Sequence, residues 1–501
     1  MTSIIKKKIR GRYYYYAVES KRVDGKPRIV WQKYLGKVND IVMAVTGLDK
    51  LPVPQSSRIY DFGIEAALLA ISKRLDVTGI INRHVAWQGE EISVGEILLL
   101  YAIHFTASPG VKLPQWFERT MLKRYFNAHA RDLTEKRFQA ISELLTPDII
   151  QKIQNELAQK IVEVFGLRPE ALVHGNIILP STIESQHKKD HSGPLYMSAL
   201  ITREFSIPLF YKIYPGGLAG EKSFAQACEC LIDRYCGLGY GVKDVTVVYH
   251  APFRSWEDDS LPAGKKRLHR FIGEHSREGQ EEILSVPMER FYFLRQGRRE
   301  KIKVYRASKR VDEKNIVMLI VQTEAGSGNQ HEEAAGRPCS LYGKRILVTD
   351  NIHWDNGEIH DAYFGRKELE EAFARMKPRP GARAALKSSR HTNAYLFCLI
   401  LALTLQSLLR WELHRCGMTG SIPEILKRLS EIREVAVTYA IGESQLRKKE
   451  HVIIAELNVR QKEIFDCLHL TQFAAGGGLE DIERDQAGVA CPDGGDQESS
   501  L

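Results

Sequence analysis

ALVHGNIIL (171–179), LYMSALIT (195–202) and PLFYKIYPGG (208–217) follow one another closely, and each is a short apolar run bounded by Gly, Pro or Ser. Runs of that length, rich in β-branched and aromatic residues, read as strands. SFAQACECLIDRY (223–235) then reads as a helix, and DVTVVYH (244–250) as a further strand. Three adjacent strands, a helix and another strand make the beginning of an α/β layer.

Outward from this layer the chain changes character several times. ERFYFLRQ, KIKVYRA, NIVMLIVQ and KRILVTD make residues 286–350 strand-rich again, with Gly- and Glu-rich connections. On the N-terminal side, the segments 64–75, 94–105, 113–124, 135–145 and 147–165 carry helical apolar spacing, which predicts an all-helical block. LPVPQSSR (51–58) reads as a linker. The first forty residues read as a basic β-hairpin, YYYYAVES and RIVWQKYLG around an Asp-Gly turn. Within residues 1–37 eleven bases, including Lys6, Lys7, Lys8 and Arg10, face only Glu19 and Asp24. Bases interleaved with tyrosines suit a nucleic-acid surface.

The whole chain of 501 residues carries +9, but the polar, Gly-rich tail 473–501 holds seven acids against Arg484 alone, a charge of −6. Subtracting that leaves +15 on residues 1–472, a surplus that favours a polyanionic partner. AYLFCLILALTLQSLL (394–409) is 16 residues long, short for a membrane span, and reads as a buried helix. The basic opening lacks the apolar core of a signal peptide, so a soluble cytoplasmic protein is expected. Eight scattered cysteines without a paired CxxC set argue against a zinc ribbon and predict reduced thiols.

One helix bears chemistry. In YFGRKELEEAFARMK (363–377), Tyr363, Arg366, Glu370 and Lys377 recur on or near one side of a 3.6-residue helix. Taken alone, this is also the pattern of a helix with i,i+4 pairing of Arg366 and Glu370. Its spacing, Tyr-x2-Arg-x3-Glu-x6-Lys, matches the helix signature of a large group of prokaryotic insertion-sequence DDE transposases. The resemblance extends over roughly residues 5–470. YYYYAVESKRVDGKPRIVWQKYLGKV, DFGIEAALLAI, SPGVKLPQWFERTML, SQHKKDHSGPLYMSALITREFSIPLFYKIYPGG and GKRILVTDN follow in the family's order.

The resemblance implies an α/β RNase H-like catalytic core with a β-rich insertion, preceded by a basic β-hairpin and an all-helical domain. It divides the chain into a hairpin at 1–50, a helical DNA-binding or dimerisation domain at 58–168 and a core at 169–260 and 345–415. The insertion falls at 261–344, a C-terminal helical region at 416–472 and an acidic tail at 473–501. The implied function is DNA transposition by metal-dependent strand cleavage and transfer. The implied cofactor is a pair of Mg²⁺ or Mn²⁺ ions held by two aspartates and a glutamate. The implied partner is double-stranded DNA at element ends, bridged by a homodimer in the cytoplasm at the nucleoid. Glu370 matches the third metal ligand, and Tyr363, Arg366 and Lys377 match phosphate contacts.

The two aspartates do not follow. The first core strand has Gly175 or Asn176 at the matching place, and no Asp lies between Leu167 and Lys189. VVYHAPFRS (247–255) puts His250 at the second place. A family site offers −3 to two divalent cations, whereas Glu370 offers −1 and a neutral imidazole adds nothing. Impaired cleavage is therefore expected, with a transposase-derived DNA-binding protein as the alternative.

Overall fold

A computed structural model describes residues 2–9, 12–23, 26–38, 41–42, 54–87, 92–167, 170–178, 195–215, 220–253, 270–275, 286–296, 300–311, 314–325, 344–375, 389–441 and 447–475. The chain forms two compact units, Met1–Ile59 with Glu434–Ile454, and Tyr60–Arg433 with Ala455–Gly477.

In the larger unit the helices come first: α1 (Gly63–Arg74), α2 (Val77–His84), α3 (Val94–Ala107), α4 (Leu113–Phe117), α5 (Glu135–Leu144) and α6 (Pro147–Phe165). Their ends are written in the sequence. Ser93 and Glu96 close a capping box on α3, and the hydroxyls of Thr134 and Thr146 cap α5 and α6. Gly166 ends α6 in the left-handed conformation at φ 55°, where a side chain would be strained.

A nine-stranded mixed sheet follows, in the order β10-β11-β12-β13-β9-β8-β5-β6-β7. Its strands are β5 (Ala171–Ile178), β6 (Leu195–Thr202), β7 (Pro208–Pro215), β8 (Val245–Phe253), β9 (Arg270–His275), β10 (Tyr292–Gln296), β11 (Glu300–Val311), β12 (Lys314–Ala325) and β13 (Lys344–Thr349). β5, β6 and β7 form an antiparallel meander, while β5, β8 and β9 run parallel. The crossover between β7 and β8 is α7 (Gly220–Cys236). Val173, Val247, Val248, Ile272 and Leu347 are fully buried at the sheet centre, as apolar strands covered on both faces must be.

β9 lies within the segment read as a β-rich insertion. It pairs parallel with β8 and thereby joins the parallel strands, and only β10–β13 extend the sheet beyond it. A short, mixed run such as RFIGEH has too little apolar patterning to announce itself as a strand. The end of β13 is stitched into these strands: Asn351 donates to Thr246 Oγ1 at 3.0 Å and accepts from Arg270 at 2.7 Å. Asp350 accepts from the Phe271 amide at 2.8 Å.

After β13 come α8 (Asn356–Arg375) and α9 (Ser389–Arg415). α8 packs across β5, β8, β9, β12 and β13. Among the described residues, α9 holds the one helical segment long and apolar enough to cross a membrane, and 89% of that window is buried inside the protein. The buried helix expected at 394–409 is thus the middle of a 27-residue helix packed against α1, α3, α5 and β7. A helix apolar on all sides needs such encirclement. Gln406 finds its partner in Thr106 of α3 at 2.8 Å.

The stretch 416–472, read as helical, is mixed. It contains α10 (Ile422–Ser430), the hairpin strands β14 (Arg433–Ile441) and β15 (Arg447–Ile454), and α11 (Val459–Cys467). The alternation of Val435, Val437 and Tyr439 is the strand period there. Cys416 and Cys467 form a disulfide with Cα atoms 6.4 Å apart, a correction to the all-reduced reading. A separation of 51 residues hides such a pair from sequence inspection.

The smaller unit contains two three-stranded sheets. Where a linker was expected, β4 (Pro54–Asp61) adds to the hairpin in the order β15-β14-β4. Where a two-stranded hairpin was expected, β1 (Thr2–Ile9), β2 (Arg12–Val23) and β3 (Lys26–Gly36) form an antiparallel sheet. β1 contains the KKK run that read only as charge.

Candidate active site and nucleic-acid surface

α8 presents its chemistry to the sheet. Tyr363 is buried, and its hydroxyl donates to Glu274 Oε2 on β9 at 2.9 Å. Arg345 on β13 brings Nη1 within 3.6 Å of the same oxygen. Burial first, and Glu274 second, pushes the Tyr363 hydroxyl well above the ordinary tyrosine range. The group expected to touch phosphate is therefore an interior donor to a carboxylate.

One turn further on, Arg366 Nε donates to Glu370 Oε1 at 2.8 Å. Both side chains are partly exposed, and an i,i+4 pair of this kind contributes roughly 0.3–0.5 kcal/mol. Glu370 does sit on a helix laid over β5, but its carboxylate faces a guanidinium of its own helix.

β5 shows what surrounds Gly175 and Asn176, the residues expected at the first ligand position. His174 pairs with Ala199 and Ile177 with Met197, so Gly175 and Asn176 together stand opposite Ser198 in a β-bulge. A Cβ added at Gly175 would lie 1.9 Å from Phe224 Cε2 and 2.4 Å from Cδ2. Phe224 belongs to α7, so Gly175 faces α7 and no side chain fits there. Its neighbour His174 points the other way: its Nε2 would lie 3.7 Å from a Cβ at Gly365 of α8. His174 is fully buried, and burial, helped by the nearby charge of Arg366, lowers its imidazole pKa to about 3. It is neutral at any ordinary pH.

His250 stands on β8, next in the sheet to β5, and its side chain lies outside the described residues, as do the side chain of Asn176 and residues Lys377 and Arg10. Among the described residues no three His, Cys, Asp or Glu side chains group so that they could hold a metal ion. Phe224 occupies the space beside Gly175, and Arg366 engages Glu370. The described donors do not fit a two-metal carboxylate set. Sequence reasoning missed His174, Glu274 and Arg345; a lone histidine in the apolar run ALVHGNIIL was the one visible signal.

The basic residues of the N-terminal sheet lie in the open. Lys6, Lys7 and Lys8 stand opposite Tyr15, Tyr14 and Tyr13. Lys6 and Lys8 place their ammonium groups 5.2 and 5.7 Å from the Tyr13 ring centroid, on one face. Lys7 lies on the other face, 4.9 Å from the Tyr16 centroid and 3.3 Å from Gln32 Oε1. These contacts are of the cation–π kind, and they leave the ammonium groups in water.

No family model matches the chain, and no curated protein matches it. Among solved structures, the chain is similar to a piggyBac transposase in a cryo-EM synaptic complex with hairpin DNA. The TM-score is 0.36 at 8% identity, covering 73% of this chain and 79% of the other. A likeness at that score leaves the fold to be argued from this chain's own strands.

Proposed function

We propose that the chain is a DNA-binding protein of insertion-sequence transposase descent, built on an RNase H-like core, that holds double-stranded DNA without two-metal cleavage. The observation that carries this reading is the strand order β7-β6-β5-β8-β9, an antiparallel meander joined to parallel strands, with α8 laid across it. The Tyr363, Arg366 and Glu370 spacing lies on that helix. Support for the loss of cleavage comes from Gly175, whose side-chain space Phe224 occupies, and from the pairing of Glu370 with Arg366. Mg²⁺ prefers anionic oxygen ligands, and one engaged glutamate is a poor substitute for three carboxylates. Support for DNA binding comes from the +15 body charge and the exposed lysines of β1.

The test is strand cleavage of DNA carrying the gene's own flanks, with Mg²⁺ and then Mn²⁺, beside a filter-binding control. Binding without cleavage is the expected result. Cleavage that Glu370→Ala abolishes would instead mean a working site with unorthodox ligands, and absence of binding would remove the DNA reading altogether.

A further inference from the structure

The three N-terminal strands have two unlike faces. Regular pairing of β1 with β2 puts Ile4, Lys6 and Lys8 beside Ala17, Tyr15 and Tyr13. Pairing of β2 with β3 adds Lys33 beside Ala17 and Trp31 beside Glu19 on that same face. The opposite face carries Tyr16, Tyr34 and Val18; Val18 is only 1% exposed and Tyr34 53%, so that face holds one open ring beside a buried centre. The first face is open: Ile4 is 62% exposed, Tyr13 49% and Trp31 48%. Tyr13 and Trp31 stand at its two ends. They are separated by the six residues from Tyr13 to Glu19 on β2, about 20 Å at strand rise. Lys6, Lys8 and Lys33 lie between them or beside them.

From this arrangement we infer that the open face is a platform for unpaired nucleic acid, with Trp31 and Tyr13 stacking on bases and Lys6, Lys8 and Lys33 meeting phosphates. The inference rests on the DNA-binding reading above and specifies the form of nucleic acid. Half-exposed indole and phenol rings cost free energy in water and gain little from a duplex, whose bases are stacked on each other. Unpaired bases offer a π-face to any ring, whatever the sequence, and the flanking lysines follow the backbone. Charge supports the same occupant: residues 1–37 carry eleven bases against Glu19 and Asp24, so a polyanion is attracted where a neutral apolar partner is not.

Fluorescence anisotropy of the full chain tests this, using a labelled mixed-sequence single strand of about 20 nucleotides and its blunt duplex. The expected result is tighter binding of the single strand, and a roughly tenfold loss on Trp31→Ala or Tyr13→Ala with duplex affinity little changed. Trp31→Phe should restore most of the loss, which guards against a merely structural effect. Equal or tighter duplex binding by the unsubstituted chain would overturn the inference, as would a Trp31→Ala variant of unaltered single-strand affinity. A concentration-dependent dimer that Trp31→Ala dissociates, with no change in nucleic-acid binding, would give the face to a second copy and equally overturn it. If single strands are not preferred while flank duplexes bind and Lys6, Lys7 and Lys8 reversal abolishes that binding, the platform falls and the proposed function stands.

Discussion

The helix α8 site and the N-terminal sheet are both rich in charge and tyrosine, yet they dispose of these groups in opposite ways. Around α8 two of the carboxylates have internal partners: Glu274 has Tyr363 and Arg345, and Glu370 has Arg366. On β1 to β3 the lysines outnumber the acids, and Lys6, Lys7 and Lys8 lie over the rings of half-exposed Tyr13 and partly buried Tyr16. A group whose partner is already in the fold has little interaction left for a ligand, whereas an unmatched cation in water does. The difference teaches that the helix whose spacing drew attention in the sequence and the surface with unmatched charge are different parts of this protein.

The largest expected effect comes from trying to undo the closure of the core. Gly175→Asp should not restore cleavage, and should destabilise the larger unit by about 4 kcal/mol, from overpacking against Phe224 and burying a carboxylate. A urea-unfolding midpoint equal to that of the unsubstituted chain would show that β5 has room, and the contrast would weaken.

The next effect is on pH. His174 is neutral and buried in the fold but takes a proton near 6.5 when exposed, so the unfolded state binds more protons as pH falls. Stability present above about 6.5 should be lost as pH falls towards about 3, by about 4 kcal/mol. His174→Gln should flatten that part of the unfolding profile; an unchanged profile would mean the imidazole is reached by water.

A smaller change, and one confined to the other region, is expected from reversing Lys6, Lys7 and Lys8 to Glu. DNA affinity should drop at least tenfold, and the salt slope should fall by about 3 if each lysine meets one phosphate. An unaltered slope would take β1 off the binding surface. The smallest effect belongs to Glu370→Gln, which should change stability by about 0.5 kcal/mol or less and DNA affinity by less than about twofold. A marked loss of binding or of any cleavage there would mean that Glu370 acts outside its pair with Arg366, and the comparison would break.

Much of this was legible in advance, and the failures have physical causes. The strands β5 to β8 and the helix α7 were plain because each has an apolar run of the right length between turn residues. β1 was hidden by its lysines, since a strand exposed on both sides needs no apolar alternation. β9 was hidden by brevity, and β14 and β15 by expectation of a helix. At the candidate site, the spacing of Tyr363, Arg366 and Glu370 was visible. Their partners Glu274 and Arg345 were not, because they come from strands about 90 and 20 residues away along the chain.

From residue order alone come the charge split between body and tail, the alternation of strands and helices in the middle of the chain, and the periodic face of 363–377. These are local or additive properties, set by side-chain identity and spacing. Only the tertiary structure decided that Gly175 turns towards Phe224 while His174 turns towards α8, that Tyr363 is an interior donor, and that Cys416 meets Cys467. The pleat reverses with every residue, and strand pairing joins distant segments. No local pattern records which face a position will take.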